Sequence, residues 1–267
     1  MSGQTSVLNR EELAAQLVES RIAGEVATTR ENNLANYRRM SARDPGYLFG
    51  LEPRGPWTFD DVLALMAKRC GVSGDPGYQA GTDTIDPELT IERLEAMAAQ
   101  LRSVALAKGR VLAATAHPAG LLVIHIEVVR ALRAAGCTVL RAPATWEHAD
   151  RDGRSRERHV RHVHGVAVAS QSANLLHTHS PVPMQLMLAN LAASGEPAPD
   201  FVLADHGYAG AAGRAGITAV GFADSNDPAL FVGEDEGDVA VCVPLDDNVA
   251  PHLYAPMTAY LLARAFG

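Results

Sequence analysis

The chain is poor in cysteine. Cys70, Cys137 and Cys242 make an odd count with no CxxC spacing, so no disulfide framework is expected, and a reduced, cytoplasmic setting fits best. None of the three serves a phosphocysteine mechanism, because the sixth residue after each is Pro76, Pro143 or Asn248 rather than Arg. They read as small buried hydrophobes. Long apolar runs are also missing: no stretch approaches the roughly 20 residues that span a bilayer, and the opening MSGQTSVLNREEL carries no apolar segment of the secretory kind. Positive charge is in deficit. Lys plus Arg is 23 and Asp plus Glu is 31, a formal charge of −8, which repels nucleic acid and anionic membrane over most of the surface. A basic spot from Arg151 to Arg161, RDGRSRERHVR with five arginines, is offset by neighbouring acids. GxxxxGK[ST], GxGxxG, GxSxG, HExxH and DxDx[TV] are all absent.

What is present is an alternation of apolar strands and helices. The first 109 residues read as a helical segment packing on the core. Asn9 caps one helix, Thr58 caps FDDVLALMAKRC, and Thr90 opens a long helix that Gly109 ends. Residues 71–87, rich in Gly, Pro and Asp, read as a loop that can serve as a lid or simply connect two helices. From Arg110 to Gly267 the pattern is a mostly parallel α/β core with helices on both faces: RVLAATA, a helix, CTVLRAP, then RHVHGVAVAS and ANLLHTH as a hairpin, then FVLAD, a Gly/Ala helix, TAVGFAD, VAVCVP and a closing helix. The two parts are expected to form one compact domain.

The chemistry sits where these strands end. RVLAATA runs into His117; ANLLHTH ends at His177, His179 and Ser180; FVLAD ends at Asp205 and His206; TAVGFAD ends at Asp224, followed by Asn226 and Asp227. In open α/β sheets ligands bind outside the carboxyl ends of the strands, so these tips are expected to meet. His177 and His179, two residues apart on an extended chain, face one way, which suits either a metal or a base with its orienting partner. Asp205, Asp224 and Asp227 are candidate ligands for a divalent cation such as Mg²⁺. Ser180 before Pro181 reads as a helix start whose free N–H groups suit an anion, or as a plain cap. Gly207 lets backbone approach a ligand or a neighbouring helix, and Asn226 offers a polar contact or merely opens a turn. His125, inside an apolar helix, reads as packed; His148, His159, His162 and His164 read as surface or strand-edge residues.

Several stretches together, ATAHPAGLL, LLHTHSPVPM, ADHGYAGAAGRAGI, VGFADSNDPALFVGE and VPLDDNVAPHLYAPMTAYLL, resemble a bacterial family known generically as phosphatases. The likeness covers roughly Arg110 to the C-terminus. It implies a soluble hydrolase of phosphoric monoesters with a small phosphorylated metabolite as partner and no nucleic-acid role. The matching positions are His117, His177, His179, Asp205, His206, Asp224, Asn226 and Asp227. The family's first motif has Gly before the His and Thr after the Pro, whereas Ala116 and Ala119 stand here, so no hydroxyl is offered at that place.

The expected mechanism uses a water nucleophile with His and Asp assistance, one imidazole acting as general acid; a phosphohistidine on His117 or His179 is the other chemical route. Two readings of another class stand beside it. A sensor would bind a phosphorylated metabolite without turnover, and a metal-dependent lyase or isomerase could use the same His/Asp tips. The clustering of His with Asp favours an enzyme. A homo-oligomer is compatible with the sequence.

Overall fold

The computed structural model describes residues 7–149 and 153–267. In chain order the elements are α1 (Arg10–Glu19), β1 (Gly24–Thr29), α2 (Arg30–Ser41), α3 (Phe59–Cys70), β2 (Thr82–Ile85), α4 (Pro87–Leu106), β3 (Arg110–Thr115), α5 (Pro118–Ala134), β4 (Thr138–Val139), β5 (Thr145–Ala149), β6 (Ser155–Val163), β7 (Val166–Gln171), β8 (Asn174–Leu175), α6 (Val182–Ala193), β9 (Phe201–Asp205), α7 (His206–Arg214), β10 (Thr218–Ala223), α8 (Pro228–Asp235), β11 (Val241–Pro244) and α9 (Ala255–Phe266). The main sheet has the order β11-β10-β9-β3-β7-β6-β5. From β11 to β7 every pairing along this order is parallel, and β6 and β5 join antiparallel at one side.

Successive strand residues feed opposite cores. Val111, Ala113 and Leu203 pack with residues of α1, α4, α5 and α9. Leu112, Ala114, Val202 and Ala204 pack with residues of α2, α3, α6, α7 and α8. A strand buried on both faces reads as a continuous apolar run, as FVLAD does up to its last residue. Described residues of the first 109 pack into the cores of the sheet: Leu13 and Ile91 share one core with Phe222, and Tyr37 and Met66 share the other with Ala204.

Several local expectations shift. The Asp-Pro pair starts α4 earlier than Thr90. Asp86 caps Glu88 N–H at 2.8 Å, while Thr90 lies a turn further on and donates to the Pro244 carbonyl at 2.8 Å. CTVLRAP pairs only over Thr138–Val139, because β4 and β7 share one edge of β3: β4 takes Arg110 and Val111, and β7 takes Ala113 to Thr115. RHVHGVAVAS is not one strand. His164 (φ 51°) and Gly165 (φ 99°) turn the chain sharply between β6 and β7, the left-handed pair that a tight hairpin requires. The arginine-rich stretch from Ser155 onward is strand. The expected loop at 71–87 contains β2, which pairs with β1. It is pinned by the buried Arg30–Asp83 ion pair at 3.0 Å. All three cysteines are free and buried, and no described helix is long and apolar enough to cross a membrane.

Candidate functional site

The parallel register aligns the strand tips. Ala113 pairs with Leu203, Asp205 with Phe222, and Ala223 with Pro244, so β3, β9, β10 and β11 finish along one edge. The chain leaving β8 crosses that edge, where Thr178 N–H donates to the Ala116 carbonyl at 3.0 Å. This carries His177 and His179 over the tips of β3 and β9.

His206 is the hub. It turns β9 into α7 with φ 46°, a left-handed conformation that costs a non-glycine residue of the order of 1 kcal/mol and is held only where the surroundings impose it. They do so tightly. A Cβ on Gly207 would lie 2.2 Å from the His179 carbonyl, and one on Gly120 would lie 1.9 Å from the Asp247 carbonyl. Only glycine lets the 177–181 segment and the Asp247 loop close on the rim.

Asp205 Oδ1 accepts His206 Nδ1–H at 2.9 Å and Ala116 N–H at 2.8 Å. A carboxylate only accepts, so the hydrogen is on Nδ1 and Nε2 points the other way. Nε2 stands 3.2 Å from Asp227 Oδ2 and 3.4 Å from Asp247 Oδ2. The Asp247 contact has ion-pair distance but not hydrogen-bond geometry, and Asp247 Oδ2 has no hydrogen-bond partner. The other imidazoles close round: His179 lies 5.1 Å from His206, His177 5.2 Å and His117 5.8 Å, centroid to centroid. His117 and His177 meet edge to face at 4.4 Å. Phe49 covers His179 and His206 at 5.0 and 5.4 Å. His177 is exposed and His179 half-buried, so the cluster opens to solvent on their side.

The electrostatics follow from crowding. Burial works against the charge of His206, yet Asp227 and the bond to Asp205 hold its pKa well above the ordinary histidine value. Burial pulls His177 down to about 4, helped by the charge of His206, and pulls down His117 and His179. Asp205 is held at about 2, because the His206 bond outweighs burial. Asp224 is pushed up to about 7 by burial and by Asp246, and Asp247 is pushed up by burial and by Asp224, Asp227 and Asp205 against the pull of His206. Among the described ion pairs, none joins a Lys or Arg to Asp205, Asp224, Asp227, Asp246 or Asp247.

Three groups bring ligand atoms within 4.8 Å of one another: His177, His179 and His206; His206, Asp227 and Asp247; and Asp224, Asp246 and Asp247. The donor set fits a divalent cation. It offers imidazole nitrogens and carboxylate oxygens, one buried oxygen lacks a partner, and among the described ion pairs no Lys or Arg balances the carboxylates. Of the residues expected as ligands, Asp224 and Asp227 belong to these groups. Asp205 stands outside them, with Oδ1 bonded to His206 and Ala116.

The remaining residues separate. Ser180 Oγ accepts Val182 N–H at 3.3 Å, acting on its own helix start. Gly207 serves the close approach of the 179–181 backbone. Asn226 faces α2, donating to Asn32 Oδ1 at 2.8 Å and accepting from Asn36 at 2.9 Å through its carbonyl. His125 is fully buried, donates from Nδ1 to the Leu121 carbonyl at 2.9 Å, and sets Nε2 3.6 Å from Asp205 Oδ2. It is packed, and it also backs the site. Sequence reasoning missed Asp246 and Asp247, although VAVCVP also ends in polar residues one step beyond its last apolar position.

A family model described as Phosphatase matches residues 8–267. The Streptomyces coelicolor protein named Phosphatase SCO2771 is 50% identical over 259 residues, covering 96% of each chain. The match spans the N-terminal helices as well as the sheet and its polar rim, and on that evidence the chain belongs to the Phosphatase family.

Proposed function

We propose that this phosphatase hydrolyses a small-molecule phosphoric monoester at the rim where His177, His179, His206 and Asp227 converge, with a divalent cation held by those four side chains. The observation that carries the reading is His206 Nε2, faced by two carboxylates at 3.2 and 3.4 Å and flanked by two imidazoles on the side open to solvent. When bound, such a cation draws off the negative charge that builds on the phosphoryl oxygens. Three imidazoles favour a transition metal such as Zn²⁺ or Fe²⁺ at this position over Mg²⁺.

The protein's own groups do the rest. Asp205 fixes the ring of His206 through Nδ1–H, so that Nε2 always faces the rim. Phe49 keeps water from one side of His179 and His206. His117 has no hydrogen-bond partner at Nδ1, and its ring stands against the exposed His177. The segment after His179 supplies the Ser180 turn on the substrate side.

Inorganic phosphate release from a panel of sugar and small-alcohol monoesters tests the reading. Hydrolysis of at least one ester is expected, abolished by a chelator, restored by added metal and lost in His206→Ala. Absence of release from every ester, under metal-replete conditions, contradicts it.

A further inference from the structure

Behind the histidines lies the third group of ligand atoms, Asp224, Asp246 and Asp247, all buried and all oxygen. Its walls are built from distant parts of the chain. Asp224 Oδ1 accepts Ser225 N–H at 2.6 Å, and its Oδ2 accepts from the Thr28 hydroxyl. Asp246 accepts Asn248 N–H at 2.9 Å through Oδ1 and Ala27 N–H at 3.2 Å through Oδ2. Its own N–H donates to the Ile22 carbonyl at 2.8 Å. Strand β1 is thus laid across the tips of β10 and β11 and aims both carboxylates. Asp224 Oδ1 also accepts from the Ser225 hydroxyl at 3.2 Å, while Asp224 Oδ2 and both Asp246 oxygens keep lone-pair capacity beyond these bonds.

Asp247 is the second observation. Its side chain is 8% exposed, its Oδ2 has no hydrogen-bond partner, and it belongs both to the group containing His206 and to the group containing Asp224. Three carboxylates this close repel one another when dry, and they are neutralised either by protons or by a cation.

We propose that Asp224, Asp246 and Asp247 form a second, oxygen-only site for a hard divalent cation such as Mg²⁺ or Mn²⁺, adjoining the histidine-lined site, with Asp247 standing between the two. The inference rests on the reading above, in which the histidines and Asp227 hold the first cation. The two positions differ in chemistry: imidazole-rich ligation suits a transition metal, and all-carboxylate ligation suits Mg²⁺, Ca²⁺ or Mn²⁺. In phosphoryl transfer a cation pair clamps the attacking and leaving oxygens together. The N-terminal segment thereby gains a role, since Ala27 and Thr28 orient the ligands of the inner ion.

The experiment is Mn²⁺ titration of the metal-stripped, full-length chain, followed by calorimetry and by electron paramagnetic resonance. The wild type is expected to bind two Mn²⁺ with a spin-coupled signal. Asp246→Asn and Asp224→Asn, which keep their acceptor oxygens, are each expected to bind one, with an uncoupled signal, and His177→Ala/His179→Ala is expected to keep only the inner ion. Thermal melting identifies any variant that fails to fold, and the wild-type count decides the matter without it. One ion in the wild type, unchanged by Asp246→Asn, overturns the second site and leaves the histidine-held cation and the phosphatase reading standing. No ion in the wild type overturns both.

Discussion

His125 Nε2 stands 3.6 Å behind Asp205 Oδ2, and neither atom has a hydrogen-bond partner. Because Nδ1 of His125 is engaged by the Leu121 carbonyl, a neutral ring presents a lone pair to a carboxylate oxygen. Burial nonetheless dominates and holds the pKa of His125 below its ordinary value, against the charge of Asp205. The unfolded chain protonates this residue near its ordinary pKa while the folded chain resists. Stability is therefore complete above that value and falls as pH drops below it, by up to about 1.4 kcal/mol per pH unit until the folded pKa is reached. Chemical denaturation at neutral and mildly acidic pH should show His125→Phe losing less stability on acidification than the wild type. An equal loss in both chains would show that His125 titrates alike folded and unfolded.

Asp205 acts through His206. Asp205→Asn keeps an Oδ1 acceptor for both bonds and removes the charge. Loss of such an orienting partner typically weakens metal affinity or activity about 10- to 100-fold. Metal titration beside turnover measurements should show that loss with little change in melting temperature. Unchanged affinity and turnover would leave Asp205 with a packing role alone.

Gly207 and Gly120 set the closeness of the rim. A Cβ at either would meet backbone at 2.2 or 1.9 Å, which a flexible side chain cannot relieve. Gly207→Ala and Gly120→Ala should each lose about 1–3 kcal/mol or more by overpacking, and turnover should fall further than stability alone explains. Gly74→Ala is the control, since its Cβ would meet only Ala67 Cβ at 3.5 Å. Comparable effects at all three positions, measured by urea unfolding, would show that the rim has room for a methyl group.

Arg30 and Asp83 are 0% and 1% exposed at their side chains. Arg30 also donates to the Tyr78 and Asp75 carbonyls, at 2.9 and 3.0 Å, so one guanidinium ties the 71–87 loop to α2. Arg30→Met leaves Asp83 buried and unpaired, which should cost about 3–5 kcal/mol. Adding Asp83→Leu should recover part of it. Urea unfolding of the single and double variants measures both, and a single variant as stable as the wild type would show the pair to be dispensable.

The buried parallel strands were legible because burial on both faces leaves a run such as FVLAD apolar until it meets the rim. For the same reason His117, Asp205, His206 and Asp224 stood out as its polar ends. Asp246 and Asp247 follow the same rule, but β11 is only four residues long and its tip is reached after Leu245, so the polar pair does not stand out as a strand end. Strand β1 was not legible: GEVATT is short and half-exposed, and only its partner β2, across a long loop, makes it a strand. The division between Asp205 as orienting group and Asp227 as candidate ligand depends on which way each carboxylate turns. Spacing along the chain does not encode that direction.

Anomalous diffraction at the manganese edge, from crystals of the wild-type chain grown with Mn²⁺, tests most directly whether the histidine rim holds a cation. A peak is expected within bonding distance of His177, His179, His206 and Asp227. Crystals of phosphate-releasing protein with no peak among those four side chains would contradict it.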